Sequence, residues 1–233
     1  MSKIKICGLT RKEDILAVNE IKPDYIGFVF AKSKRQISLE QAQELKKQLS
    51  FDIPSVGVFV NEKTEKISHI VQRGVIDIIQ LHGQETNAEI KMLKKMFHLP
   101  IIKAISVKTK YDIQQAEKME ADYILFDNGA GGTGETFDWN LLKNIKKPYF
   151  IAGGLQIENI QEALKKHPYG VDVSSGVETE GKKDKQKMKQ IVEMVKKKIL
   201  GFVNLKNKST EKAFKNTIIK RIQKEKRTPE KWF

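Results

Sequence analysis

The chain has 233 residues, of which 39% are apolar; that is enough for one sizeable core and too many for a disordered polymer. A net charge of +14 favours anionic partners, whether nucleic acid, an anionic membrane surface or phosphorylated small molecules. No run of about 18 apolar residues is present, which speaks against a transmembrane helix, and the first residues lack the apolar stretch of a signal peptide. A single cysteine, Cys7, leaves no intrachain disulfide and fits the reducing cytoplasm, the expected location.

Taken in chain order, short β-rich apolar runs alternate with segments of helical period. The run at 3–7 is followed by the segment at 12–21, 25–30 by 39–49, 55–60 by 62–73, and 77–81 by 87–97. The second half continues with 101–105 and 111–119, 123–126 and 139–145, 149–152 and 157–166, 170–173 and 184–200. Such alternation predicts eight right-handed parallel βαβ units. Thr10 with Glu13, Ser38 with Gln41 and Thr86 with Glu89 each set a hydroxyl ahead of a Glu or Gln in capping-box spacing. Pro54, Pro100 and Pro148 precede the third, fifth and seventh strands, where no ladder donor is lost.

Eight units either close into a (β/α)₈ TIM barrel or lie open as a doubly wound sheet. The polar, glycine-rich segments fall after the strands, where a barrel builds its active site. The expected architecture is therefore an α/β barrel forming a single domain over 1–200. From Gly201 the chain changes character, with ten Lys/Arg against three Glu and no strand. Residues 201–233 read as a basic C-terminal tail, flexible or loosely docked, in which Phe214, Ile218 and Ile222 have the spacing of a short amphipathic helix.

The strand ends hold the residues with chemistry. Cys7 closes the first strand and reads either as a small buried hydrophobe or as a thiol that moves a proton. Asp127 follows three large apolar residues at the end of the sixth strand and reads either as a cap or as a general acid or base. Both strands open onto one mouth, so an acid and a base would flank the same substrate. Gly153 and Gly154 follow the seventh strand; Asp172, Ser174, Ser175 and Gly176 accompany the eighth. Loops at these two positions commonly cradle phosphate, and plain turns are the alternative. Arg35, after the second strand, is either a carboxylate grip or a solvated loop residue. His82, after the fourth, either orients substrate or is structural. Gly129, Gly131, Gly132 and Gly134 suggest a mobile lid. The histidines and carboxylates show no metal-ligand spacing, so no metal is expected.

These residues combine into a pattern. Lys5-Ile6-Cys7-Gly8-Leu9-Thr10, Gly27-Phe28-Val29-Phe30 with Ser33 and Arg35, and Gln80-Leu81-His82-Gly83 come in that order. Gly131-Gly132-Thr133-Gly134 with Phe137-Asp138-Trp139, Ala152-Gly153-Gly154-Leu155 and Asp172-Val173-Ser174-Ser175-Gly176-Val177-Glu178 follow. Together they resemble the motifs of the phosphoribosylanthranilate isomerase family over about residues 3–198. The resemblance implies a cofactor-free Amadori rearrangement of N-(5-phosphoribosyl)anthranilate to 1-(2-carboxyphenylamino)-1-deoxyribulose 5-phosphate in tryptophan biosynthesis. It implies Asp127 as general acid, Cys7 as general base and Arg35 as the partner of the anthranilate carboxylate. Lys34 stands where the family usually has Pro, and the tail has no counterpart in the pattern.

Rival readings are a metal-dependent pentose-phosphate epimerase, an indole-glycerol-phosphate synthase relative, or a binding protein whose tail takes nucleic acid or anionic lipid. The first needs metal ligands at strand ends and the second a catalytic Lys/Glu set; neither is apparent. The tail lacks the interleaved aromatics of a nucleic-acid binder. The expected partner is thus a phosphorylated small molecule, with no nucleic acid or membrane, in a monomer or homodimer.

Overall fold

The computed structural model describes residues 1–129 and 136–196; the glycine loop at 130–135 and the tail at 201–233 lie outside the described residues. Eight parallel strands close into a barrel: β1 (Lys3–Cys7), β2 (Tyr25–Val29), β3 (Ser55–Phe59), β4 (Ile78–Leu81), β5 (Ile101–Ser106), β6 (Tyr123–Asp127), β7 (Tyr149–Ile151) and β8 (Gly170–Val173). They run in sequence order, and β8 pairs back onto β1, with Lys3 beside Gly170 and Lys5 beside Asp172. This is the TIM barrel that the alternation predicts; an open sheet would leave β1 and β8 unpaired. The helices are α1 (Lys12–Ile21), α2 (Leu39–Gln48), α3 (Thr64–Gln72), α4 (Asn87–Phe97), α5 (Lys110–Ala116), α6 (Ile160–Leu164) and α7 (Lys185–Lys196). Among the described residues, no helix is long and apolar enough to cross a membrane.

Alternation along each strand builds two cores. One set of side chains, including Ile4, Ile6, Ile26, Phe28, Ile124 and Phe126, packs outward beneath the helices with residues such as Ile15, Leu45, Ile67 and Ile191. Each such fully buried side chain stabilises the fold by about 1.5–3 kcal/mol. The other set lines the barrel. At the strand N-terminal end, Tyr25, Tyr123, Phe150 and Tyr169 form an aromatic plug with ring centroids 4.8–6.0 Å apart. The hydroxyls of Tyr25 and Tyr169 meet at 2.8 Å. The inward positions one pleat higher carry Lys5 and Gln80. Those at the C-terminal rim carry Cys7, His82, Ser106 and Asp127, and this places the polar groups at the mouth.

Local details depart from expectation where another residue offers a better partner. The pairing of Thr10 with Glu13 does not form. Helix α1 starts one residue later, and buried Asp14 accepts the amides of Thr10 and Arg11 at 3.0 Å each while Arg11 grips it at 2.6 Å. Ser38 accepts the Gln41 amide as expected, but the Gln41 side chain turns to the Thr10 carbonyl. The box of Thr86 and Glu89 is complete in both directions. The helix expected over 139–145 is a single 3₁₀ turn, Trp139–Leu141, capped by Asp138. Asn144 leaves helical geometry at φ 60°, and Glu117 takes the amides of Lys146 and Lys147, which draws the chain into β7 before another turn forms. A short hairpin, β9 (Glu178–Thr179) and β10 (Lys182–Lys183), precedes α7 and had no counterpart among the expected elements.

One buried ion pair fixes the loop after β4. Lys103, 2% exposed on the outer face of β5, donates to Glu85 at 3.0 Å and to the Gly83 carbonyl at 2.6 Å. Glu85 also accepts the amides of Asn61 and Gly83. Removing one partner strands the other charge in the core. Glu85→Leu is therefore expected to lose about 3–5 kcal/mol in denaturant unfolding. A loss below about 1 kcal/mol, the level of a surface pair, would contradict that reading.

Candidate active site

Cys7 is the last residue of β1 and 7% exposed. Its neighbour across the ladder is Gly27, where a Cβ would come within 2.6 Å of the sulfur. The glycine thus makes room for an inward thiol. Burial pushes the thiol above the usual cysteine range, with Asp172 adding to the shift and Lys5 and Lys183 opposing it. The resting group is the protonated thiol.

Asp127 ends β6 on the same rim and is 6% exposed. It does not cap a helix. Oδ1 accepts the Gly129 amide at 2.8 Å, and Oδ2 meets His82 Nε2 at 2.7 Å. His82 follows β4, and its Nδ1 lies 3.1 Å from the Gln80 amide nitrogen. Cys7 and Asp127 therefore stand in separate hydrogen-bond environments. Lys5 bonds Asp172 at 2.9 Å and Gln80 at 2.7 Å, and Gln80 in turn meets His82. Oδ1 of Asp172 is buried and has no hydrogen-bond partner, an acceptor held ready below the mouth.

Arg35 is not a solvated loop residue. Its Nε and Nη2 clasp Glu178 at 2.7 Å each, the planar fork-on-carboxylate geometry that guanidinium favours. Lys183 Nζ reaches the same carboxylate at 2.6 Å. Burial of Glu178 works against its charge, but Arg35 and Lys183 outweigh it and hold the carboxyl below the usual range. Lys183 itself is lowered by burial, against the pull of Glu178.

The loops after β7 and β8 meet. Gly153 and Gly154 adopt φ 76° and 62°, left-handed values at which other residues are strained. A Cβ on Gly176 would fall 1.9 Å from the Leu155 carbonyl, so only glycine permits this approach. Ser174 Oγ is tied to the Cys7 carbonyl at 3.1 Å, and a 3₁₀ turn, Ser175–Val177, follows. The amides of Gly153, Gly154, Ser175 and Gly176 donate to no acceptor among the described residues. Such a cluster of open amides suits an anion.

Four further residues join the site: Lys5, Gln80 and Glu178, which the sequence places in the motifs without a role of their own, and Lys183, which lies in none of them. Lys5 and Gln80 had a legible signal, since each stands two positions before a rim residue and hence on its inward face. Lys183 reaches the site through the hairpin, which no sequence feature had been used to predict.

The family model described as N-(5′-phosphoribosyl)anthranilate isomerase matches residues 4–194. The chain is 49% identical over 203 residues to N-(5′-phosphoribosyl)anthranilate isomerase from Thermoanaerobacter sp. (strain X514), covering 84% of this chain and 98% of the relative. Its fold is similar to that of monomers of the dimeric isomerase from Thermotoga maritima, with a TM-score of 0.75, 37% identity, and 83% and 97% of the two chains covered. It is also similar to a phosphoribosyl anthranilate isomerase in complex with reduced 1-(o-carboxyphenylamino)-1-deoxyribulose 5-phosphate (TM-score 0.74, 37% identity, 83% and 97% covered).

Proposed function

Because this chain belongs to the N-(5′-phosphoribosyl)anthranilate isomerase family and converts N-(5′-phosphoribosyl)anthranilate to 1-(2-carboxyphenylamino)-1-deoxyribulose 5-phosphate in tryptophan biosynthesis, we propose that Cys7 is its general base and Asp127 its general acid. One observation carries the reading: the two groups end the inward faces of β1 and β6 at the same rim of a closed barrel. Asp127 gives its proton to the furanose ring oxygen. The C1′–O bond breaks, and the anilino nitrogen supplies the electron pair that forms a protonated Schiff base. The Cys7 thiolate then takes the C2′ proton. The electron pair moves toward nitrogen, giving an enolamine that tautomerises to the ketose. The iminium nitrogen is the electron sink, so one acid and one base suffice, each contributing about 10²–10⁴-fold.

The reaction calls for Asp127 as the carboxylic acid and Cys7 as the thiolate in the same complex. The open amides of Gly153, Gly154, Ser175 and Gly176 take the phosphate, with Ser174 beside them. The free oxygen of Asp172 accepts a sugar hydroxyl, and His82 orients the acid. Grips at both ends of the substrate hold the reacting carbons between acid and base.

Arg35 takes the anthranilate carboxylate. Glu178 uses only Nε and Nη2, and this leaves the outer Nη1 edge for a second carboxylate. Lys34 does not loosen that grip, because Glu178 sets the guanidinium plane from the far side. Arg35→Met should raise KM at least about 10-fold and leave kcat within about threefold. An unchanged KM would move the carboxylate to another partner. Catalysis belongs to residues 1–200. The groups named here can all be supplied by a single chain, as a monomer or as each half of a homodimer. The lone free thiol fits a cytoplasmic protein.

A further inference from the structure

Lys5 and Gln80 lie one pleat below Cys7 and His82, on the inward faces of β1 and β4. Nζ of Lys5 donates to Gln80 Oε1 at 2.7 Å. An ammonium has donors only. Burial works against the Lys5 charge, but the Asp172 carboxylate outweighs it and raises its pKa above the ordinary lysine value, so Lys5 stays an ammonium. The Gln80 amide is thereby fixed in one orientation. Its oxygen faces Lys5 and its NH₂ faces His82; the flipped amide would set donor against donor.

That NH₂ lies 3.1 Å from His82 Nδ1, so Nδ1 has to accept. The ring proton then sits on Nε2, 2.7 Å from Asp127 Oδ2. The histidine backbone is held independently. Its amide donates to the Phe59 carbonyl at 2.8 Å, and the next residue, Gly83, is tied to Glu85. What Gln80 controls is the tautomer.

We infer that Gln80 is a positioning residue for this reaction: pinned by Lys5, it accepts no proton-donating contact from His82 and holds the ring in the tautomer with its proton on Nε2, so that the imidazole orients the Asp127 carboxyl. The inference rests on Asp127 being the general acid. With Oδ2 held by His82 and Oδ1 by Gly129, the plane of the carboxyl is set and its remaining lone pairs face the mouth. Loss of the lock would let His82 rotate or exchange its proton and free the carboxyl from that plane.

The test reads the tautomer directly. Long-range ¹H–¹⁵N correlation spectra of the ligand-free wild-type enzyme at neutral pH, with His82 assigned by comparison with His82→Gln, should show a protonated Nε2 and a bare Nδ1. In Gln80→Leu the tautomers should mix, and kcat should fall about tenfold with KM within about twofold. In Gln80→Glu an acceptor faces Nδ1, and both ring nitrogens should carry protons. A wild-type His82 protonated on Nδ1, alone or together with Nε2, would overturn the inference. So would Gln80→Leu with both tautomer and kcat unchanged. The wild-type spectrum stands whether or not the variants fold. Should Asp127 not be the acid, normal turnover of Asp127→Asn would reveal it while the wild-type tautomer stayed as described.

Discussion

Cys7→Ala is expected to lower kcat by at least about 10²-fold with little change in KM. The thiol sits on the rim of β1, and the grips proposed for phosphate and carboxylate lie on other elements, so removing it is expected to leave both ends of the substrate bound. Alanine fits without strain because Gly27 already leaves space beside the sulfur. On the proposed assignment the substitution removes one chemical event, departure of the C2′ proton, and leaves ring opening to Asp127. Initial rates follow from the fluorescence decay of freshly generated phosphoribosylanthranilate. Turnover within a few-fold of wild type would remove Cys7 from the role of base.

Asp127→Asn is expected to lower kcat by at least about 10²-fold, again with KM nearly unchanged. Asparagine keeps the shape of the carboxyl and can still accept from His82 Nε2 through its oxygen. It has no acidic proton to give. With Asp127 as the proposed acid, ring opening then lacks its proton donor, and the step before the Schiff base becomes limiting. The proposal therefore expects the alanine variant to fail after the Schiff base and the asparagine variant before it, a difference in kind that rates alone do not display. Near-normal turnover in Asp127→Asn would leave the ring oxygen to another donor.

Much of this arrangement was legible in the sequence. Hydrophobic period and prolines located all eight strands to within about two residues, and the glycines at 153, 154 and 176 fall, as expected, beyond the C-terminal ends of β7 and β8. What stayed hidden depended on contacts between distant segments. Arg35 looked free because its partner Glu178 is 143 residues away, and nothing local predicts that pairing. The hairpin that brings Lys183 in turns on Glu180 and Gly181, both at positive φ. That is a primed turn, but Glu is a poor marker for it where Asn or Asp would have been clear. Asp14 displaced Glu13 as the N-terminal partner of α1 because a buried carboxylate with Arg11 beside it outcompetes an exposed one. Lys5 and Gln80 were readable: a charged and an amide residue spaced two from Cys7 and His82 have to share their inward faces.

The division of labour between acid and base can be read in one trapping measurement. Each variant is mixed with fresh substrate in the presence of a mild hydride donor that reduces iminium ions, and the open-chain reduced amine is quantified by mass spectrometry. With Asp127 opening the ring and Cys7 acting afterwards, Cys7→Ala accumulates the Schiff base and yields the reduced amine, whereas Asp127→Asn yields no more than substrate alone. Equal trapping by the two variants, or trapping by Asp127→Asn only, would contradict the assignment of acid to Asp127 and base to Cys7.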